Sequence, residues 1–327
     1  MSRTRYFVFR TVQTFVLLFV ILTFLFFFFR MMPGDYTDLL RQAGVSQEAT
    51  EAFAERWGLD QPLHVQYWKY VLAFATGDFG NSLQYRTPVW DHVNHRILNS
   101  FILVAPGITA GYIIGSLLGV IFGNNRGEKI EEYGIVPIIA VGTVPLFFLG
   151  LIFIMIFSSW LGLFPPSGML PSGFAAEYDE WWRVYFTREF LWHFLLPFTA
   201  IAVRYSYLPT LIMRTSVVEV KGQGFAYFQR VSGLPKWNRL RHLGKHASLP
   251  VITMYPVSMT RAIGGLVLIE YVFNWPGIGF TLVEAVFARD IPVIQFVFFL
   301  VAAFVILGNY VVDIVYSIID PRVTVEE

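Results

Sequence analysis

The sequence contains no cysteine, and only 14% of its 327 residues are charged. Without cysteine there is neither a disulfide framework nor a thiolate site for a metal or a redox reaction. A soluble domain usually carries about 25% charged residues. The low charge content therefore excludes a soluble enzyme.

Several catalytic and binding motifs are also missing. There is no G-x-x-x-x-G-K-[ST] motif to hold nucleotide phosphates, no H-E-x-x-H and no G-x-S-x-G. Two histidine pairs have the spacing of metal ligands, His92 with His95 and His242 with His246, but basic residues flank the second pair. We expect no metal and no cofactor in this chain. We also expect no nucleic-acid binding, which needs a basic face on a folded domain.

Hydrophobic residues make up 55% of the chain and form long runs. A bilayer core about 30 Å thick requires about 20 apolar residues of helix. This length predicts an all-α, polytopic membrane protein with six transmembrane helices, at Thr11–Phe29, Ser100–Gly123, Tyr133–Phe157, Leu191–Met213, Leu249–Phe273 and Pro292–Ile319. The first run is longer than the apolar core of a signal peptide, so we expect an uncleaved anchor.

Loop charges predict the orientation of the spans. Residues 214–248 hold seven Lys and Arg residues against the single acid Glu219, and the segment before the first span is basic as well. Residues 34–99 and 160–192 carry more acids than bases. Basic loops stay in the cytoplasm. We therefore expect a multi-pass plasma (inner) membrane protein with both termini cytoplasmic.

The segment between the first two spans has the pattern of two short helices. Ser46 can cap a helix that runs to Trp57 and stops at Gly58. A second helix over 62–75 places an apolar side against either the membrane interface or the outer ends of the spans. The sequence thus predicts an N-terminal domain, 1–99, with the anchor and an extracytoplasmic helical segment. A core domain, 100–327, follows with five spans and a cytoplasmic loop at 214–250.

Five glycines recur at four-residue intervals in the second span. Residues four apart share one face of a helix, so these glycines form a groove without side chains. The pattern favours a tight helix–helix seam over mere tolerance of glycine in membrane helices. The seam residues are Gly107, Gly111, Gly115, Gly119 and Gly123.

Ionisable residues within the spans are candidates for function, because they are costly in lipid. Arg204, Arg261 and Glu270 are the candidate pathway residues, and Asp313 lies in the last span. One hypothesis is that the two arginines face a wet path and contact a solute carboxylate or carbonyl. The alternative is a structural ion pair with Glu270 or Asp313. Six prolines in or near the spans also predict kinks.

The cytoplasmic loop is far longer than a simple connection between helices. Its stretch Phe225–Val231 predicts a short helix, which Gly233-Leu234-Pro235 ends. A short exposed helix suits docking to a soluble partner. A basic loop that touches anionic membrane lipid is the alternative.

At this loop the chain resembles the permease subunits of oligopeptide/dipeptide-type ABC importers. The resemblance covers essentially the whole chain. Its motifs are RWGLDQPLHVQYWKY (56–70), GDFGNSL (77–83), FPPSGML (164–170), EVKGQGFAYFQRVSGLPKWNRLRHLGKHASLP (219–250), IEYVFNWPGIGFTLVEAVFARDIPVIQ (269–295) and VVDIVYSIIDPRV (311–323).

The resemblance implies a type I importer transmembrane domain that is not itself an enzyme. It implies three kinds of partner: a second homologous permease, two ABC ATPases that bind ATP and Mg²⁺ and hydrolyse the ATP, and an extracytoplasmic solute-binding protein. Membrane lipid is a further expected partner of the chain. The resemblance also assigns ATPase coupling to Phe225, Ala226, Tyr227, Phe228, Gln229, Arg230, Val231, Ser232 and Gly233. Here Tyr227-Phe228-Gln229 replaces the usual Glu-Ala-Ala or Arg-Thr-Ala, which points to a co-adapted ATPase.

The expected solute is a di- or oligopeptide delivered by the binding protein. The same machinery importing oligosaccharides or nickel is the alternative. A self-sufficient channel or secondary transporter is the alternative from another class. The missing inverted repeat and the few intramembrane carboxylates speak against it.

Overall fold

A computed structural model describes residues 3–31, 46–174 and 181–319, and confirms the all-α prediction. The helices are α1 Arg3–Arg30, α2 Gln47–Trp57, α3 Leu63–Thr76, α4 Val89–Asn124, α5 Lys129–Thr143, α6 Leu146–Phe153, α7 Arg188–Lys221, α8 Gly224–Val231, α9 Lys236–Ala247, α10 Leu249–Val272, α11 Ile278–Ala288 and α12 Ile291–Ile319. A π-helical segment, Ile154–Trp160, follows α6, and a 3-10 helix, Trp181–Phe186, precedes α7.

Four helices of the described chain, α1, α4, α7 and α12, are long and apolar enough to cross a bilayer. Two bent elements supply the remaining candidates. The pair Lys129–Thr143 and Leu146–Trp160 is bent by 109°, and α10 bends by 61° between Ala262 and Gly264. With each bent element counted as one span, the described residues hold up to six spans, as predicted.

The break between α5 and α6 falls at a proline. Pro145 precedes α6, and Val144 before it has left the helical region, with φ −76° and ψ 131°. A proline disfavours the helical conformation in the residue before it. The predicted span Tyr133–Phe157 is therefore not one straight helix. The other candidate prolines lie inside helices, and these are Pro106, Pro137, Pro197, Pro209 and Pro256.

The chain divides into two compact units, Met1–Ile97 with Ile278–Glu327, and Leu98–Gly277. In the first unit α3 packs against α1. Tyr70 and Phe74 are buried, and the Tyr70 ring lies 5.5 Å from that of Phe26. The predicted apolar side of α3 thus contacts a span, although Leu63 is exposed. The predicted domains 1–99 and 100–327 stay a prediction.

Polar contacts join α1 to α12 within the first unit. Arg10 lies 3.5 Å from the carboxylate of Asp313, and the hydroxyls of Thr11 and Tyr310 are 2.8 Å apart. A charge in a span is costly unless it is paired. The charge of Asp313 is therefore compensated by Arg10 of the same unit. The ion-pair hypothesis had instead paired Asp313 with Arg204 or Arg261.

In the second unit the glycine face of α4 lies directly against α7. A Cβ built on Gly111 would lie 2.6 Å from the carbonyl oxygen of Ala202. One built on Gly119 would lie 2.7 Å from that of Thr210. No real Cβ approaches a carbonyl so closely, and the helices can pack at this distance only because the side chains are absent.

The contacts repeat every fourth residue on both helices. The nearest α7 carbonyl advances by four residues for each glycine, and both series rise along the chain, so α4 and α7 run parallel along the seam. The α7 side of the seam also uses small residues, and such residues let helix backbones approach closely in lipid. These residues are Ala202, Ser206 and Thr210.

We predict that Gly111→Ala separates the two helices and destabilises the chain by about 1–3 kcal/mol, the usual cost of overpacking. Gly265→Ala is the matched control, because a Cβ there meets nothing within 4 Å. Unfolding of the purified chain in mixed micelles, followed by circular dichroism, measures both. Equal stability of the two variants would contradict the seam.

Candidate functional site

The predicted coupling segment is the helix α8, one residue longer than expected at its start. It follows Gln223, whose backbone is extended, and its last residue, Val231, is followed by Ser232 and by Gly233, which has a φ of +69°. The N–H of Leu234 donates to the carbonyl of Gln229 at 3.1 Å, closing the helix end. Glycine adopts this left-handed conformation without steric cost, so Gly233 sets the direction in which the chain leaves α8.

The two sides of α8 have different surroundings. Phe225 and Ala226 are half-buried against the core of the second unit, and the Phe225 ring lies 4.8 Å from that of His246. Tyr227, Phe228 and Val231 are 68%, 69% and 66% exposed. Exposed apolar side chains on an otherwise polar loop mark an interaction surface.

The helix α9 supports α8 from the side. Leu243 and Ala247 are buried, which anchors α9 to the second unit. The Gln229 amide nitrogen lies 3.0 Å from Nδ1 of His242. Both histidines of this pair thus contact α8 side chains. His92 of the other pair stacks on the Tyr85 ring at 4.2 Å.

Arg204 lies half-buried on α7 and points to the break between α5 and α6. Its Nε donates to the carbonyl oxygen of Val144 at 3.0 Å. That carbonyl lies where the regular helical hydrogen bonding is interrupted, directly before Pro145. A guanidinium hydrogen bond to this carbonyl compensates both groups inside a span. Arg204 therefore makes a structural contact. Its partner is a backbone carbonyl, whereas the ion-pair hypothesis gave it a carboxylate.

Arg261 has different surroundings from Arg204. It is exposed on α10, and among the described residues it forms no hydrogen bond and no ion pair. Gly264, Leu268 and Tyr271, on the part of α10 after the bend, are also exposed. An arginine at membrane depth cannot face hydrocarbon at low cost. The exposed side of α10 at Arg261 therefore requires water or another protein beside it.

Glu270 is fully buried in the second unit and does not contact Arg261. The hydroxyl of Ser100 on α4 donates to its carboxylate at 2.5 Å. A Cβ on Gly277 would collide with the same carboxylate, so the chain after α10 folds closely around it. The structure places Glu270 in the packing between α10 and α4 and not on the exposed face.

The sequence analysis missed a polar network around the buried Asn99, the residue before Ser100. The indole Nε1 of Trp275 donates to the carbonyl of Asn99 at 3.0 Å, and the Asn99 amide donates to Pro276 at 2.8 Å. Tyr185 donates to the Asn99 side-chain oxygen at 2.5 Å. Burial raises the pKa of Tyr185, which keeps the hydroxyl protonated as a donor. The Asn-Trp-Pro-Gly run at 274–277 is the sequence feature from which this network could have been predicted.

We predict that Arg204→Met destabilises the chain by about 2 kcal/mol, the loss of a charged hydrogen bond that leaves a carbonyl unpaired. Arg261→Met serves as the control, because it removes the same charge from an exposed position, and its stability should change by less than about 0.5 kcal/mol. Unfolding in mixed micelles measures both. A greater loss in Arg261→Met would refute these assignments.

Comparisons with known proteins agree with this architecture. Residues 115–325 match the family described as binding-protein-dependent transport system inner membrane component. Residues 3–103 match the N-terminal part of such membrane components.

The chain is also similar to characterised relatives along nearly its full length. It is 33% identical over 322 residues to the oligopeptide transport system permease protein AppB of Bacillus subtilis (strain 168), covering 97% of this chain and 98% of the relative. It is 31% identical over 307 residues to the glutathione transport system permease protein GsiC of Escherichia coli (strain K12), covering 94% of each. The chain is a multi-pass membrane protein that belongs to the family of binding-protein-dependent transport system inner membrane components.

Proposed function

We propose that this chain is the membrane subunit of an ATP-driven peptide importer and forms half of an alternating-access path. The observation that carries the proposal is the exposed apolar face of α8, with Tyr227, Phe228 and Val231. A helix of this kind, held in place by Phe225 and ended at Gly233, suits insertion into a cleft of a soluble ATPase.

The partners follow from the proposed role. A second homologous permease completes the path, two ATPases bind ATP and Mg²⁺ and hydrolyse the ATP, and a solute-binding protein delivers the solute. The chain itself is then not an enzyme, which agrees with the missing phosphate-binding motif. The exposed face of α10 with Arg261 supports a second permease or a wet path beside it, because lipid there would be unfavourable.

Peptides are the proposed solutes for two reasons. The relatives named above carry oligopeptide and glutathione transport in their names, and both solutes are peptides. Arg261 also offers a guanidinium without a described partner on an exposed face, and a guanidinium binds the carboxylate that every free peptide carries. Oligosaccharides and nickel do not carry a carboxylate of this kind.

The proposed orientation places α8, α9 and both termini in the cytoplasm. Its support is the excess of Lys and Arg in 214–248. In this orientation α8 faces the compartment that contains ATP. Movement of the ATPases on nucleotide binding would then push on α8, and α7, only two residues away at Lys221, would carry the displacement into the spans.

We predict that Gly233→Val uncouples ATP hydrolysis from uptake, because a β-branched residue is strained at a φ of +69°. Peptide uptake by proteoliposomes of the full complex should fall at least about tenfold, while basal ATP hydrolysis persists. Gly222→Val is the control, because Gly222 has a φ of −73° that any residue adopts.

Two results would count against the proposed function. One is peptide uptake by the chain reconstituted without ATPases, which would establish a self-sufficient transporter. The other is unchanged uptake in Gly233→Val, which would separate α8 from coupling.

We predict further that Arg261→Met lowers peptide uptake at least about tenfold, since one missing charged contact to the solute costs more than about 1.4 kcal/mol. Arg261→Lys retains the positive charge and should recover most of the uptake. Transport of radiolabelled peptide by the assembled complex measures both. Wild-type uptake by Arg261→Met would remove Arg261 from the path.

A further inference from the structure

A polar cleft of about 680 Å³ lies where the ends of α4 and α7 meet α8 and α9. Its lining carries one acidic side chain, Glu128, and four basic side chains. The basic residues come from three different elements of the second unit, so the fold brings together charges that are separate in the sequence. They are Lys221, Arg230, Lys236 and Arg239.

Most of this positive charge has no ion-pair partner among the described residues. Lys221 donates to the carbonyl oxygen of Asn124, which ties the end of α7 to the end of α4. Arg230, Lys236 and Arg239 form no ion pair with any residue that the structure describes. Like charges around one cleft repel each other unless an anion lies among them. The cleft is therefore suited to an anionic ligand.

The position of the cleft identifies the kind of anion. The helices α4 and α7 are both long enough to span a bilayer, and both end at the cleft, at Asn124 and Lys221. Asn124 directly follows the predicted span Ser100–Gly123, and the ends of spans lie at the level of the lipid headgroups. Lys221 lies beyond the predicted span Leu191–Met213, but its ammonium group contacts Asn124 at this level. Trp237, next to Lys236, is 73% exposed, and tryptophan favours the membrane interface. Basic pockets at this level bind anionic headgroups.

We propose that this cleft binds the phosphate headgroup of an anionic phospholipid of the cytoplasmic leaflet. The leaflet follows from the proposed orientation, whereas the binding itself does not depend on it. Of the exposed apolar residues of α8, Tyr227 lines the cleft, whereas Phe228 and Val231 do not and stay available for docking. A lipid bound there would hold α8 and α9 against the ends of α4 and α7.

The test compares two pairs of substitutions on α9. Lys236→Gln with Arg239→Gln removes two charges from the cleft. Arg241→Gln with Lys245→Gln removes two exposed charges of the same helix outside it. Native mass spectrometry of the purified chain in detergent, titrated with dioleoyl phosphatidylglycerol, counts the bound lipid. The cleft pair should bind about thirtyfold more weakly, and the control pair less than about threefold.

Three results would overturn the proposal. Equal weakening by both pairs would indicate diffuse attraction to the surface. Equal binding of dioleoyl phosphatidylcholine would exclude recognition of the anionic headgroup. Binding of inorganic phosphate alone, with the same sensitivity to the cleft pair and no preference for the lipid, would assign the cleft to a free anion. If the cleft pair does not fold, the single exposed change Lys236→Gln, expected to weaken binding about fivefold, decides instead.

The orientation is tested separately. The chain contains no cysteine, so Ser232→Cys supplies a single thiol on the exposed loop for labelling in cells. Labelling by a membrane-impermeant reagent from outside the cell would overturn the orientation and the leaflet assignment. The lipid titration in detergent does not depend on the orientation of the chain in a membrane. Its result therefore tests lipid binding independently of the labelling result.

Discussion

The second unit depends on the close approach of α4 and α7. In lipid there is no hydrophobic drive between helices, so packing and close polar contacts hold a bundle together. Five glycines remove every side chain that would separate the backbones, and the α7 carbonyls lie where a Cβ would otherwise be. The seam extends over the length of a span. Small shifts within it would cost many contacts at once, and the two helices therefore behave as one element.

The other polar contacts of α7 secure different neighbours along its length. Arg204 holds the break between α5 and α6, Arg214 pairs with Glu131 on α5, and Lys221 binds the end of α4. Because α8 follows α7 after two residues, a force on α8 acts directly on α7 and on the neighbours that α7 holds. This arrangement explains how a helix of eight residues, with its apolar face exposed, can move several spans in the proposed mechanism.

Sequence patterns predicted local features and missed the pairings between them. The four-residue glycine interval defines one face of α4, but nothing local identifies α7 as its partner. Proline marks six possible kinks, yet only Pro145 lies at the 109° break, and the other five lie inside helices. Glu270 was predicted beside a path from its charge alone. Glu270 is instead buried and accepts a hydrogen bond from Ser100, which is 170 residues away in the chain.

Three of the four ionisable residues predicted within the spans have a polar partner in the structure. Asp313 pairs with Arg10, Glu270 accepts a hydrogen bond from Ser100, and Arg204 donates to Val144. Each of these groups is compensated by its own unit. Arg261 is exposed and has no such partner among the described residues. Since an uncompensated arginine is costly in lipid, its compensation has to come from outside the part of the chain that the structure describes. A neighbouring permease, water or the solute itself can supply it, and all three belong to the proposed path.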